Sequence, residues 1–293
     1  MNKNNIINIL ITGGRGQIGS IFNSLKKEYT KFHFFTPGRN ELDINDYDSL
    51  NTFVLKNKVK VLVNCAAYTD VNKAETEFEI VNEVNHKAII SLIRIVEKYN
   101  LKFIQISTDY IFDGKSKKPY IEKSIANPIN NYGISKNLGE MVILNKNLNN
   151  TIILRTSWVY SNYGKNFVKN ILNNSQSKNQ IFVVSDQIGS PTNGYDLVNT
   201  IISIIPLINF KRTKIYHYAN NGSCSWYEFA KEIIKLSNSQ CIVNPIKTVN
   251  INPLADRPKY SVLSTLKIES KFKLVIPHWK VSLKSLLTNK NFN

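Results

Sequence analysis

The sequence predicts an α/β fold, a doubly wound parallel sheet with a smaller C-terminal lobe. Three observations carry that prediction. Short β-rich apolar runs alternate with amphipathic stretches of helical spacing over residues 1–157. A glycine-rich turn, "TGGRGQIGS", stands at the first strand-to-helix crossover. Beyond residue 157 the rhythm loosens, with neither an internal repeat nor a low-complexity linker.

The elements follow in order. "IINILIT" (6–12) is a β-rich run closed by glycines, and "QIGSIFNSLKKEY" (17–29) places Ile18, Ile21, Phe22 and Leu25 on one helical face. "KFHFFT" (31–36) is strand-like, "DYDSLNTFVLKNK" (46–58) a helix opened by acidic and small polar residues, and "VKVLVNCAA" (59–67) a buried strand. A helix around 78–99, the strand "KFIQIST" (102–108), a helix over 132–148 and the strand "TIILRTS" (151–157) complete the alternation. Strict alternation argues for a parallel sheet covered on both faces. Further on, "SWYEFAKEIIKLSN" (225–238) is an amphipathic helix with Ser225 as N-cap, and 244–262, holding Pro245, Pro253 and Pro258, reads as loop. Residues 1–157 are expected to form the sheet domain, with segments around 195–222 returning to it, and 158–293 mainly the smaller lobe.

With 42% hydrophobic residues in 293, the chain can bury a sizeable core. No run is long and apolar enough to span a bilayer, and "MNKNN" leads into an apolar stretch without a signal-peptide cleavage site. Cys65, Cys224 and Cys241 fit neither a disulfide framework nor metal-ligand spacing, so a cytoplasmic location is expected. The net charge of +17 comes from dispersed lysines with no recognition motif. It argues for attraction of a small anionic ligand and against a nucleic-acid or membrane partner.

The turn reads Gly14-x-Gly16-x-x-Gly19, and equally Gly13-x-x-Gly16-x-x-Gly19, between a strand and a helix. Glycines there permit a tight turn and close approach of backbone to pyrophosphate, and the helix N-terminus favours the phosphates. This makes the sheet Rossmann-type. The second strand ends in "FFTPGRNELDI" with no acid at its end and Arg39 just beyond, which favours NADPH and leaves NADH open.

In "NYGISK", Tyr132 and Lys136 lie four residues apart, on one helical face. A phenol, with its usual pKa of about 10, is a poor acid at neutral pH, and a neighbouring ammonium favours the phenolate. Thr108, at the end of the preceding strand, is placed to hydrogen-bond a substrate carbonyl. The three together suit reduction of a C=O, with the proton delivered to oxygen.

"NCAAYTDVNKAE" (64–75), "STDYIFDG" (107–114), "NPINNYGISKNLGE" (127–140), "LRTSWVYSNYGKNF" (154–167), "VSDQIGSPT" (184–192) and "ADRPKYSVLST" (255–265) follow the glycine turn in order. Together they closely resemble the dTDP-4-dehydrorhamnose reductase family of extended short-chain dehydrogenases/reductases, over nearly the whole chain. The resemblance implies a catalytic trio of Thr108, Tyr132 and Lys136, with Tyr132 as proton donor and Lys136 also holding the nicotinamide ribose. It implies Gly13, Gly16, Gln17, Ile18 and Gly19 at the pyrophosphate, Asp43 and Ile44 against adenine, and Ala66, Ala67 and Tyr68 beside the cofactor's ribose and phosphates. Asp109, Tyr110, Trp158, Asn166, Phe167, Gln187, Gly189, Pro191, Thr192 and Arg257 would belong to the nucleotide-sugar pocket. Asn72 stands where the family usually has Asp.

The related 4,6-dehydratases carry Asp-Glu after the threonine; here Tyr110 follows Asp109. The bifunctional epimerase–reductases need a cysteine near the substrate, and none lies between Cys65 and Cys224. Simple 4-keto reduction remains, of dTDP-4-dehydro-β-L-rhamnose or a related nucleotide sugar. A non-catalytic, dinucleotide-binding regulatory subunit is the rival reading. A homodimer and a divalent metal are left open, since spacing marks no metal cluster. His33, His86, His217 and His278 read as packing or surface residues, Trp226 and Trp279 as core, and Asp113 and Glu122 as solvated loop acids.

Overall fold

The computed structural model describes residues 6–251 and 253–288, so the leading "MNKNN" lies outside the described residues. Strands β1 (Ile7–Thr12), β2 (Phe32–Phe35), β3 (Val61–Asn64), β4 (Lys102–Thr108) and β5 (Thr151–Thr156) are short; β3, β4 and β5 are almost wholly buried, whereas β2 buries only Phe34. They are joined through helices α1 (Gln17–Ser24), α2 (Tyr47–Lys56), α3 (Phe78–Asn82), α4 (Ala88–Tyr99) and α5 (Asn131–Lys146). Then come β6 (Val159–Tyr160), α6 (Phe167–Ser177), β7 (Gln180–Val184), β8 (Ile188–Gly189), β9 (Thr192–Asn193), α7 (Gly194–Ile204) and β10 (Lys214–His217). The chain continues with β11 (Cys224–Ser225), α8 (Trp226–Leu236), β12 (Ile242–Ile246), α9 (Leu266–Phe272) and α10 (Trp279–Thr288).

The main sheet has six strands in the order β10-β5-β4-β3-β1-β2. β1 pairs in parallel with β2 and β3, and β3 with β4. The order reverses direction at β1 and β3, the switch point where such sheets leave a crevice at the carboxyl ends of their strands. The registers Thr12↔Asn64 and Asn64↔Gln105 align three polar side chains at those ends. Thr12 donates to Asn64, whose amide donates to Gln105 at 2.8 Å, so the buried polar row is mutually satisfied.

The chain divides into two compact units. The first comprises Met1–Ser107, Asn131–Leu154 and Val198–Ile215; the second comprises Thr108–Asn130, Arg155–Leu197 and Tyr216–Asn293. The first unit's core packs Leu92, Ile93 and Val96 of α4 with Leu10, Leu62 and Phe103 of the sheet. The second gathers Val168, Ile171, Phe229, Ile233 and Leu283 from α6, α8 and α10. Ser225 and Glu228 form a reciprocal capping box at the start of α8, bearing out the N-cap reading.

Two expectations need correction. Residues 242–246 are a strand, β12, paired in parallel with β7 across Pro245↔Val183, so the stretch expected as loop begins in a two-stranded sheet. Proline lacks an N–H but is tolerated on an edge strand, where that donor would face away from the partner. The helix expected over 78–99 is interrupted by a π-helical segment, Glu83–Lys87. Its wide turn places Asn85 so that its amide donates to the Tyr68 carbonyl and the Ser135 hydroxyl, each at 3.0 Å, and accepts from the Tyr68 N–H. No described helix is long and apolar enough to cross a membrane.

α5 meets the π segment at Gly139, where an added Cβ would lie 2.3 Å from the Asn85 carbonyl oxygen. Gly139→Ala should therefore destabilise the fold by about 1–3 kcal/mol, the usual cost of overpacking. Thermal unfolding followed by circular dichroism should show a lowered Tm; an unchanged Tm would mean that the two segments separate without penalty.

Candidate functional site

In the first unit, the glycine turn is held by its own backbone. The Gly14 N–H donates to the Pro37 carbonyl at 3.0 Å, and the Gly16 N–H to the Gly13 carbonyl at 2.9 Å. Gly13 has φ of 68°, a left-handed conformation that glycine adopts at no steric cost. A Cβ on Gly14 would come within 2.1 Å of the Thr36 oxygen, so the loop after β2 seats directly on the turn. At the start of α1, Gly16 contributes no side-chain oxygen as a cap. The helix terminus is left with the partial positive charge that favours a phosphate.

This turn forms one wall of a cavity of about 350 Å³. Gly13, Gly16, Arg39, Asp43, Ile44, Ala66, Ala67 and Tyr68 all line it, which brings eight of the expected cofactor residues together; Arg15 and Cys65 line it too. Gln17, Ile18 and Gly19 are the first residues of α1, with Gly19 buried. The Tyr68 hydroxyl donates to Glu77 at 2.6 Å, a bond that with partial desolvation pushes its pKa up to about 12.

Tyr132 and Lys136 occupy the first two turns of α5, with Tyr132 half-buried and Lys136 buried. The Lys136 ammonium donates to the Ile106 carbonyl at 2.8 Å, and Ile106 lies two residues before Thr108 on β4. Burial pulls the Lys136 pKa down to about 8, against the opposing charge of Glu140. Ser107, next to Ile106, donates to the Glu140 carboxylate. The Cys65 thiol is pushed up to about 12 by burial, so it is not a thiolate at neutral pH.

In the second unit, the Thr108 hydroxyl donates to Asp109 Oδ1 and accepts from the Tyr110 N–H, each at 3.2 Å. Asp109 is 2% exposed, and its Oδ2 lacks a hydrogen-bond partner. Burial drives its pKa up to about 7 despite a hydrogen bond from Ser261.

Several expected pocket residues also build the second unit. The Trp158 ring stacks on Trp226 with centroids 3.4 Å apart, and Phe167 joins that pair at 4.5 Å. Gly189 leaves the room, since a Cβ there would meet the Trp158 ring at 2.5 Å. The Thr192 N–H donates to the Trp158 carbonyl at 3.2 Å, and Pro191 beside it is buried. Asn166 caps α6 through the Lys169 N–H while its amide donates to the Ser161 carbonyl. Gln187 donates to the Thr248 hydroxyl at 3.0 Å, and Arg257 to the Ala255 carbonyl at 2.9 Å. Trp226, expected as core, is half-buried in this stack, whereas Trp279 is buried.

Asp113 and Glu122 correct the solvated-loop reading. Asp113 accepts from the Tyr120 hydroxyl, Asn127 and the Lys115 N–H, and Glu122 accepts from the His217 N–H. His217 is wholly buried and its pKa is pushed down to about 3 by desolvation and the Arg155 cation. Among the described residues, no group of three or more His, Cys, Asp or Glu is arranged to hold a metal.

Comparison with known proteins identifies the family. Residues 7–292 match the RmlD substrate binding domain family. The dTDP-4-dehydrorhamnose reductase of Aggregatibacter actinomycetemcomitans is 34% identical over 95% of this chain and 97% of its own. A Streptomyces niveus protein named dTDP-4-keto-6-deoxy-D-glucose reductase is 30% identical, with 94% of each covered. The crystal structure of dTDP-4-dehydrorhamnose reductase from Bacillus anthracis in complex with NADP superposes with a TM-score of 0.90 at 34% identity, covering 96% of this chain and 98% of that one. The chain belongs to the dTDP-4-dehydrorhamnose reductase family.

In this member of the reductase family, sequence reading missed three residues that the structure ties to the expected site. Glu140 lies four residues beyond Lys136, and that i+4 spacing after Tyr132 and Lys136 was the available signal. Arg15 stands between two of the turn's glycines. Asn85 depends on the π segment and carried no signal that periodicity could expose.

The depressed Lys136 pKa has a measurable sign. Between about 8 and the usual 10.5, the unfolded chain keeps a proton that the folded chain has lost, so this group makes stability rise with pH across that window. Relative to Lys136→Met, the wild type should gain on the order of 3 kcal/mol between pH 8 and 10.5. Parallel denaturant titrations of the two proteins would test this; equal pH slopes would mean that the ammonium is not desolvated.

Proposed function

We propose that this protein is an NADPH-dependent reductase of the 4-keto group of a nucleotide-linked 6-deoxyhexulose, converting dTDP-4-dehydro-β-L-rhamnose to dTDP-β-L-rhamnose for polysaccharide precursors. The observation that carries this reading is the pairing of Tyr132 with a buried Lys136 whose ammonium is fixed to β4 just before Thr108. The dinucleotide fits the first unit: the walls at Gly13 and Gly14 admit no Cβ, and α1 presents an N-terminus without a side-chain cap. Gly13, Gly16, Gln17, Ile18 and Gly19 would hold the pyrophosphate, Asp43 and Ile44 the adenine, and Ala66, Ala67 and Tyr68 the inner ribose and phosphates. The second unit would hold the nucleotide sugar, through Trp158, Phe167, the 187–192 loop and Arg257.

When bound, the reduced nicotinamide supplies the hydride for the C4 carbon of the sugar. Tyr132 delivers a proton to the C4 oxygen. Lys136 supplies positive charge one helical turn away, which favours the phenolate left behind. Thr108 orients the carbonyl, and Oδ2 of Asp109, which has no partner within the chain, can accept a hydrogen bond from a sugar hydroxyl. The +17 net charge suits a pyrophosphate-linked substrate and an anionic cofactor together. The enzyme is assigned to the cytoplasm without nucleic-acid or membrane partners, and a homodimer is its proposed assembly. The Streptomyces niveus relative favours a second reading, reduction of a different dTDP-4-keto-6-deoxy sugar.

The deciding assay is NADPH oxidation at ~340 nm, the absorbance of the reduced nicotinamide, with dTDP-4-dehydro-β-L-rhamnose beside its UDP and GDP analogues and dTDP-4-keto-6-deoxyglucose. Rapid, dTDP-dependent oxidation is expected; dinucleotide binding without turnover on any of them would replace the enzyme with a regulatory subunit. Tyr132→Phe should lower kcat by at least about 10²-fold, the lower range for loss of a general acid, with NADPH affinity nearly unchanged. Full activity in that variant would remove Tyr132 from the mechanism.

A further inference from the structure

The rim of the cofactor cavity carries an anion site that the chain already fills with its own carboxylate. Arg15 and Arg39 both line the cavity, one from the glycine turn and the other from the loop after β2. The Arg15 guanidinium donates to Glu41 Oε1 at 3.0 Å, while Glu41 Oε2 accepts the Gly38 N–H. The Glu41 and Leu42 N–H groups both donate to the Gly38 carbonyl at 3.0 Å, which fixes the tight turn that aims the carboxylate back. Arg15 lies against Gly38, where an added Cβ would come 2.7 Å from its Cγ. The site therefore consists of a guanidinium and a backbone N–H converging on one anion, the donor set that a phosphate monoester also takes.

We propose that Glu41 sets the choice between NADPH and NADH by competing with the 2′-phosphate of the dinucleotide for Arg15. The inference rests on the dinucleotide reading of this cavity given above. A 2′-phosphate carries more charge than a carboxylate and forks onto a guanidinium equally well, so it takes Arg15 from Glu41. A ribose 2′-hydroxyl offers no charge and leaves the pair intact. The Arg15 and Glu41 side chains are 76% and 53% exposed, so the exchange costs little and solvent accepts the released carboxylate. Glu41 thus lowers the affinity for NADPH without touching that for NADH. Its removal should sharpen selectivity.

The test is calorimetric titration of the full-length protein with NADPH and NADH, using wild type, Glu41→Gln, Arg15→Ala and the double variant. Gln keeps an oxygen for the Gly38 N–H and removes only the charge. Glu41→Gln should tighten NADPH by about twofold to fivefold, the worth of one exposed ion pair, and leave NADH unchanged. Arg15→Ala should weaken NADPH, and in that background Glu41→Gln should have no further effect. An unchanged NADPH-to-NADH ratio in Glu41→Gln would overturn the proposal. So would an equal effect in both backgrounds, which would show diffuse charge repulsion and not competition for Arg15. If the wild type bound neither dinucleotide, the proposed function would fall with it; binding of both with an unmoved ratio would sink only the role of Glu41.

Discussion

An ammonium taken out of water must be met by other charges or dipoles, and Lys136 imposes that demand on everything around it. Its Nζ is fixed to the Ile106 carbonyl, which also accepts from the Gln105 side chain at 2.9 Å. Glu140, one turn further along α5, supplies the opposite charge and is itself held by Ser107. Removing one member of such a set leaves an uncompensated buried group, which costs far more than the pair contributes. These contacts tie α5 to β4 at Ile106 and Ser107. Ser135 and Gly139 on α5 repeat the constraint through Asn85, by hydrogen bond and by close contact respectively. Tyr132 inherits its position from this arrangement. The residues three to eight positions after it fix the helix that carries it.

The glycine turn works by the opposite means, through the absence of side chains. Gly14 is pressed against Thr36, Gly13 against Ala66 and Gly19 against the Gly13 carbonyl oxygen, each closer than any Cβ allows. The turn's share of the cavity wall is consequently backbone, and the start of α1 offers a dipole without charge or conformational freedom. Charged side chains line the same cavity at Arg15, Arg39 and Asp43. Such a division suits a ligand with a pyrophosphate and a variable group at its adenosine end.

Much of the first unit was legible because its elements announce themselves by period. Runs such as "VKVLVNCAA" can only be buried strands, and the i,i+4 spacing of Tyr132 and Lys136 is a statement about helix geometry. What periodicity cannot show is a defect in the period. The π segment at Glu83–Lys87 looks helical in sequence, yet it alone lets Asn85 reach both Tyr68 and Ser135. Pro245 misled in the other direction, since a proline weighs against a strand unless that strand is an edge, and edges are set by tertiary contacts. Arg15 and Glu41 are 26 positions apart and meet only because Gly38 lets the two loops touch. Pairings of this kind belong to the assembled sheet and leave no local trace.

The motifs most specific to the family are instructive for what their side chains are doing. Asn166 has its oxygen on the α6 N-terminus and its nitrogen on the Ser161 carbonyl, Gln187 is bonded to Thr248, and Gly189 exists to admit the Trp158 ring. Trp158 itself has φ of 47°, a left-handed backbone that only tight surroundings impose on a tryptophan. The ring is pinned between Trp226 and Gly189. These motif residues are thus engaged with one another and with the backbone of the second unit. Asp109 is the contrast within the same unit, a buried carboxyl with one oxygen unpartnered. Leaving such an oxygen without a hydrogen bond carries a desolvation cost that the packing of the second unit does not relieve.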